Sequence, residues 1–65
     1  MNKLRVGSKV LCQYYNTPDK KFYGDFFEGE IIKIQLGNNR EKLYTIQCKY
    51  DIVNLYRKEI KRIIK

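Results

Sequence analysis

The side chains of this chain that could do chemistry are two cysteines, seven carboxylates, six tyrosines and three phenylalanines, and histidine is absent. The sequence offers no nucleophile with an evident base and no glycine-rich phosphate loop. Nucleophilic and acid–base catalysis depend on such groups. We therefore expect a protein that is not an enzyme and that uses no cofactor.

The two cysteines, Cys12 and Cys48, lie far apart in the chain and form no CxxC pair. A zinc site needs clustered cysteine or histidine ligands, so we expect no metal. Both cysteines fall on strand positions that we assign to the interior, which favours small buried hydrophobic side chains in a reducing compartment. A disulfide would require the two strands to be neighbours, which the sequence does not establish.

The net charge is +7, from fourteen lysines and arginines against seven acids. This surplus permits a polyanionic partner such as DNA, RNA or an acidic protein. The basic residues cluster in one loop and near the C-terminus, where a solvated surface is the alternative reading. The residues that could contact phosphates are Lys20, Lys21, Arg57, Lys58, Lys61, Arg62 and Lys65.

A chain of 65 residues has room for one small domain with one small core. We expect a single domain over residues 1–65, ordered from about residue 4 to residue 64, and a fragment of a larger protein. No signal peptide is visible, and no apolar run approaches the ~20 residues of a membrane span. We expect no membrane partner.

Residues 22–34, FYGDFFEGEIIKI, form the stretch around which the chain is organised. Phe27, Gly29 and Ile31 alternate, so they would share one face of a strand. The glycine in mid-strand predicts a close approach by another backbone or ring. The apolar positions then shift by one residue, and Ile32, Ile34 and Leu36 continue in the opposite phase. This change of phase predicts a bulge or a sharp coil of the strand.

Before this stretch, residues 9–15 predict a first strand with Val10, Cys12 and Tyr14 on its core face. Residues 16–21 contain the only proline and predict a turn. The second strand is predicted over residues 26–36. Residues 22–25 fit either an extension of the loop or the start of that strand.

After the second strand, residues 37–42 predict a polar hairpin connection, and residues 43–50 predict a third strand. The core face of that strand would carry Tyr44, Ile46, Cys48 and Tyr50.

The C-terminal segment has two readings on periodicity alone. One is a short strand over residues 53–56, a helical turn over 57–59 and a fifth strand over 60–63. The other is an amphipathic helix capped by Asp51, since apolar residues recur at helical spacing at Ile52, Tyr56, Ile60 and Ile63.

Four segments in this order resemble a Tudor domain: VGSKVLC at 6–12, FEGEI at 27–31, LYTI at 43–46 and LYRKEIKRI at 55–63. The resemblance covers nearly the whole chain. It implies an all-β fold, a small five-stranded SH3-like barrel with a short helical turn before the last strand. It therefore favours the strand reading of the C-terminal segment.

Many Tudor domains bind methylated lysine or arginine through an aromatic cage. Carried onto this chain, the resemblance implies a cage formed by Tyr14, Phe27, Tyr50 and Asp51. The third-strand position that is usually aromatic is Cys48, and Tyr50 would take its place. An additional wall could come from Phe22, Tyr23, Phe26 or Cys48 itself.

The sequence thus predicts a non-catalytic, nuclear, chromatin-associated module that binds methylated lysine, or methylarginine, in histone or other protein tails. The main alternative is a nucleic-acid-binding barrel that contacts DNA or RNA through its basic face. A third alternative is an interaction module with no occupied cage.

Overall fold

The computed structural model describes residues 3–64, so Lys65 lies outside the described residues. Its five antiparallel strands form one sheet, in which the fourth strand of the chain lies at one edge, followed by the third, second, first and fifth. Short 3-10 turns cover Asn38–Arg40 and Arg57–Glu59. The predicted all-β class is confirmed, and the arrangement is that of a small SH3-like barrel. The strands are β1 (Lys9–Asn16), β2 (Lys21–Leu36), β3 (Lys42–Gln47), β4 (Ile52–Tyr56) and β5 (Ile60–Ile63).

The long strand β2 pairs with β1 along its first half and with β3 along its second half. A methyl group added at Gly29 would overlap Cγ2 of Ile46 and lie 2.9 Å from the carbonyl oxygen of Gln47. The predicted close approach is therefore confirmed, and β3 is the neighbour that makes it. The β2–β3 register shifts between Ile31 and Lys33, which confirms the predicted change of phase.

A second irregularity lies between β1 and β2, where Cys12 pairs with Phe27 but Tyr14 pairs with Tyr23. Three residues of β2 therefore oppose the single residue Gln13. The side-chain nitrogen Nε2 of Gln13 donates to the carbonyl of Gly24 at 2.9 Å. Gly24 has a φ of +77°, which glycine adopts without a steric penalty. The open choice over residues 22–25 is settled, because these residues belong to β2.

Strand β3 ends at Gln47, and the prediction that it reaches Tyr50 was wrong. Gln47 pairs with Ile52, and the N–H of Cys48 donates to the carbonyl of Asp51 at 2.8 Å. These contacts close a four-residue loop, residues 48–51. The alternation of apolar residues continues through Cys48 and Tyr50, but both residues belong to the loop and not to the strand.

The C-terminal segment forms strand, turn and strand, so the alternative of one amphipathic helix was wrong. Ile60 is buried, whereas Ile52, on the supposed apolar face of that helix, is 56% exposed. The turn is stabilised by Glu59, whose carboxylate accepts from the N–H groups of Tyr56 and Tyr15, each at 3.1 Å. These bonds satisfy backbone donors at the end of β1 and at the start of the turn.

The core is small and takes side chains from all five strands. Cys12 is buried in it as predicted, Cys48 is half-buried, and both are free thiols. Within residues 3–64, no helix has both the length and the apolar character that a membrane span requires. The buried residues are Val10, Cys12, Ile31, Tyr44, Ile46, Leu55 and Ile60.

Candidate functional site

One hollow of about 590 Å³ opens at the end of the barrel where β1 ends and the 48–51 loop turns. It gathers side chains from three separate places in the chain, including all four residues of the predicted cage. Two residues that the sequence did not single out, Glu28 and Lys49, also line it. The complete lining is Tyr14, Phe27, Glu28, Cys48, Lys49, Tyr50 and Asp51.

Two neighbouring strands position the inner rings of the hollow. Tyr14 lies on the core face of β1, and Phe27, on β2, pairs with Cys12 of β1. The ring centroids of Tyr14 and Phe27 are 4.9 Å apart and the ring planes are tilted by 37°. Both residues are half-buried, so their rings close the core and also present surface to the hollow.

Tyr23 supports this pair from the side. The bulge in β2 places it opposite Tyr14, with ring centroids 5.8 Å apart and planes 22° from parallel. Tyr23 does not line the hollow. Its stacking restricts the orientation of Tyr14, so it helps to hold a cage ring instead of forming a wall.

The 48–51 loop supplies the outer side of the hollow. The side-chain amide of Gln47 donates to the carbonyl of Cys48 at 2.9 Å, which ties the loop to the end of β3. Tyr50 is 88% exposed, and the ammonium of Lys49 lies 5.4 Å from its ring centroid. This ring therefore already has a cation near one face.

The pKa values of two groups in the hollow, the Tyr14 hydroxyl and the Cys48 thiol, depend on burial and on the charge of Asp51. Burial, and then the negative charge of Asp51, raise the pKa of the Tyr14 hydroxyl and the pKa of the Cys48 thiol. Both groups therefore stay uncharged at neutral pH, while the carboxylates of Asp51 and Glu28 supply negative charge. The lining contains rings, a neutral thiol, two carboxylates and one ammonium, that of Lys49. Its rings and its excess of carboxylates suit a cation with an apolar surface.

Of the four predicted additional walls, Cys48 lines the hollow, whereas Phe22 and Phe26, like Tyr23, do not. Phe22 pairs with Tyr15, and the pleat of β1 turns Tyr15 away from Tyr14. Phe26 is 57% exposed within the bulge and does not line the hollow. The sequence could not assign these faces because alternation cannot be followed through an irregular register.

Phe22 belongs to a separate group on the other face of β1 and β2. Its ring meets the ring of Tyr15 edge to face, with centroids 4.9 Å apart. The ammonium of Lys61 lies 3.1 Å from the Phe22 centroid, and that of Lys58 lies 4.4 Å from the Tyr15 centroid. We call Tyr15, Phe22, Lys58 and Lys61 the ring–lysine patch.

The remaining predicted phosphate contacts are distributed around this patch. Lys20 ends the β1–β2 turn with a φ of +54°, and Lys21 begins β2 next to Phe22. Arg57 donates to the carbonyl of Ile60 at 3.0 Å, so its guanidinium stabilises the 3-10 turn. Arg62 is exposed on β5, at the position that pairs with Leu11.

A second hollow, of about 570 Å³, lies beside Tyr15 and Lys58. Its lining is mostly polar and includes the carboxylates of Glu41 and Glu59. Among residues 3–64, no three cysteine, aspartate or glutamate side chains come together as a metal-binding group.

Comparison with known proteins yields no similarity: no protein-family model matches the chain, and no curated protein or solved structure matches it significantly. The likeness to Tudor domains thus rests on the sequence segments named above. The hollow and its lining are the observations from which a function can be proposed.

Proposed function

We propose that this protein is a non-catalytic module that binds methylated lysine, or methylarginine, in protein tails, with the methylated group seated in the hollow. The observation that carries the proposal is the convergence of Tyr14, Phe27, Tyr50 and Asp51 on one hollow. These residues come from three separated segments. Many Tudor domains, which the chain resembles, have this activity, and histone tails would be the corresponding ligands in the nucleus.

The chemistry of a methylated ammonium explains why rings should bind it. Methylation removes N–H donors and spreads the positive charge over methyl groups, which a carboxylate alone satisfies poorly. An aromatic ring face attracts such a group, by about 0.5–2 kcal/mol per ring once the cation is desolvated. Tyr14, Phe27 and Tyr50 together would give weak to moderate affinity.

The carboxylates answer the objection that a chain of net charge +7 should repel a basic tail. Asp51 and Glu28 both line the hollow, and they outnumber its one lysine, Lys49. With a mono- or dimethylated lysine, Asp51 could also accept the remaining N–H as a charge-assisted hydrogen bond.

The direct test is an NMR titration of the isotope-labelled protein with one peptide in several states: unmodified, mono-, di- and trimethylated on a lysine, and dimethylated on an arginine. We expect the methylated peptides to shift the amide signals of Tyr14, Phe27 and residues 48–51. Equal shifts with the unmodified peptide, or shifts confined to other residues, would count against the proposal.

Matched variants separate the hollow from general aromatic character. Tyr14→Ala should abolish the preference for the methylated peptide. Phe26→Ala removes a ring that is 57% exposed but does not line the hollow, and it should leave affinity unchanged. Asp51→Asn should weaken mono- and dimethyllysine binding more than trimethyllysine binding, because only the lower states retain an N–H donor.

A further inference from the structure

We propose a second ligand site, independent of the hollow, in which the ring–lysine patch binds the phosphate backbone of a nucleic acid. Consecutive residues of β1 begin the two sites, Tyr14 on the face of the hollow and Tyr15 on the opposite face. A ligand on the patch would therefore make no contact with the hollow.

The patch places one ammonium group over each of two rings that are in contact with each other. The rings of Tyr15 and Phe22 are 4.9 Å apart, and each has one lysine nitrogen over it, at 4.4 Å for Lys58 and 3.1 Å for Lys61. A free lysine side chain loses substantial rotamer freedom when it binds an anion. The rings reduce that loss because they restrict the ammonium groups before a ligand arrives.

A local irregularity of β5 adds to the exposed positive charge. The register between β1 and β5 shifts between Leu11 and Cys12, so Lys61 is the additional residue and has no partner in the ladder. Lys61 and Arg62 are both exposed as a result, although they are consecutive in a strand. Lys20 and Lys21, adjacent to Phe22 in the chain, extend the positive charge at this end of the sheet.

The surplus of positive charge favours a phosphate polymer as the ligand, although the carboxylates of Glu41 and Glu59 lie beside Lys58. The nearest acid of the 3-10 turn, Glu59, is occupied by the N–H groups of Tyr15 and Tyr56. Asp19, in the β1–β2 turn, accepts from the side chain of Asn16. One lysine covers a face of each ring, so the rings are poorly placed to stack on bases. We expect contacts to the backbone and little dependence on nucleotide sequence.

The test is binding of the whole chain to a short DNA duplex of mixed sequence and to one of its single strands, measured over a series of salt concentrations. The logarithm of the binding constant should fall linearly with the logarithm of salt concentration. Lys58→Gln with Lys61→Gln should weaken binding and reduce that slope by about two, roughly one for each lost phosphate contact. The matched control, Lys33→Gln, lies in the half of β2 that pairs with β3 and should leave the slope unchanged.

Two further variants test the role of the rings and the separation of the sites. Phe22→Leu should weaken DNA binding several-fold while all positive charges are retained, because Lys61 is no longer positioned. Tyr50→Ala should leave DNA binding unchanged, and the double lysine variant should bind methylated peptides like the wild type. Amide spectra of each variant confirm the fold.

The proposal is overturned if the double lysine variant keeps the wild-type slope, or if Tyr50→Ala removes DNA binding. It is also overturned if polyglutamate of similar length binds as tightly as DNA, because the patch would then attract any polyanion. None of these results depends on whether the hollow binds a methylated peptide.

Discussion

The carboxylate of Glu59 accepts a hydrogen bond at 3.1 Å from the backbone N–H of Tyr15, which lies 44 residues earlier in the chain. Its other oxygen accepts from the N–H of Tyr56, also at 3.1 Å. One side chain thus connects the end of β1 to the turn between β4 and β5. Because Tyr14 and Tyr15 lie near the end of β1, this connection holds the strand that carries both proposed sites in place.

Replacement of Glu59 by glutamine should destabilise the fold by about 1–3 kcal/mol. The amide nitrogen of glutamine cannot accept a hydrogen bond, so one of the two N–H groups loses its partner and the other loses a charged acceptor. Urea denaturation followed by circular dichroism measures the change. Glu41→Gln, at an exposed carboxylate, is the control, and equal stabilities of the two variants would contradict the assigned role of Glu59.

Replacement of Gly29 by alanine should also destabilise the fold, by about 1–3 kcal/mol, because the added methyl overlaps Ile46 and crowds the carbonyl of Gln47. The same denaturation experiment applies. Gly24→Asn is the control: nothing lies within 4 Å of an added Cβ there, and asparagine tolerates positive φ better than most residues. A Gly29→Ala variant as stable as the wild type would show that β2 and β3 can separate without cost.

Much of the fold could be predicted because its signals are local. Alternation of apolar residues gave β1, and the phase change after Ile31 predicted the bulge that the register shows. Gly29 predicted a close approach because glycine in mid-strand costs stability unless a neighbour needs the space. The C-terminal choice was different: spacing alone did not decide it, and the resemblance to a known family favoured the correct alternative.

The errors have a common physical origin, which is that register is not a local property. The second irregularity of β2 sets three residues against Gln13, and it decides that Tyr23 stacks on Tyr14 while Phe22 faces the other way. No alternation within the segment reveals this. Likewise, Tyr50 continues the pattern of β3 by sequence, but the bond from Cys48 to Asp51 has already turned the chain.

Loss of the Tyr50 ring should separate binding from stability. Tyr50 is 88% exposed, so Tyr50→Ala removes almost no packing, and the free energy of unfolding should remain within about 0.5 kcal/mol of the wild type. Affinity for a methylated peptide should fall about 2-fold to 30-fold, as expected for one cation–π contact. Calorimetric titration measures the affinity. Unchanged affinity would remove Tyr50 from the cage.

The thiol of Cys48 offers a chemical probe of the hollow. Its pKa is raised by burial and by Asp51, so alkylation by iodoacetamide at pH 8 should be slower than for an unstructured cysteine. A methylated peptide should slow it further, and the unmodified peptide should not. Mass spectrometry follows the reaction. Buried Cys12 should stay unmodified, and a Cys48→Ala variant that is still alkylated while folded would contradict the assignment.

Burial raises the pKa of the Cys12 thiol from 9.0 to about 12, with smaller contributions from the charges of Cys48 and Glu59. The folded state therefore favours the neutral thiol. The resulting stability is fully present below about pH 9 and is lost as the pH rises towards 12. Denaturant titrations between pH 7 and pH 11 should show a steeper decline for the wild type than for Cys12→Ala. Parallel curves would contradict this origin, since the two proteins differ only at residue 12.

Tyr14 and Tyr15 are neighbours in one strand, yet they begin surfaces that point away from each other. A partner that carries a methylated side chain next to a phosphate chain would bind the hollow and the ring–lysine patch at the same time. The second contact would then form within an existing complex, at a local concentration set by the short distance between the two sites. Two contacts that are each weak would together give slow dissociation, and a partner with only one of the two features would dissociate quickly.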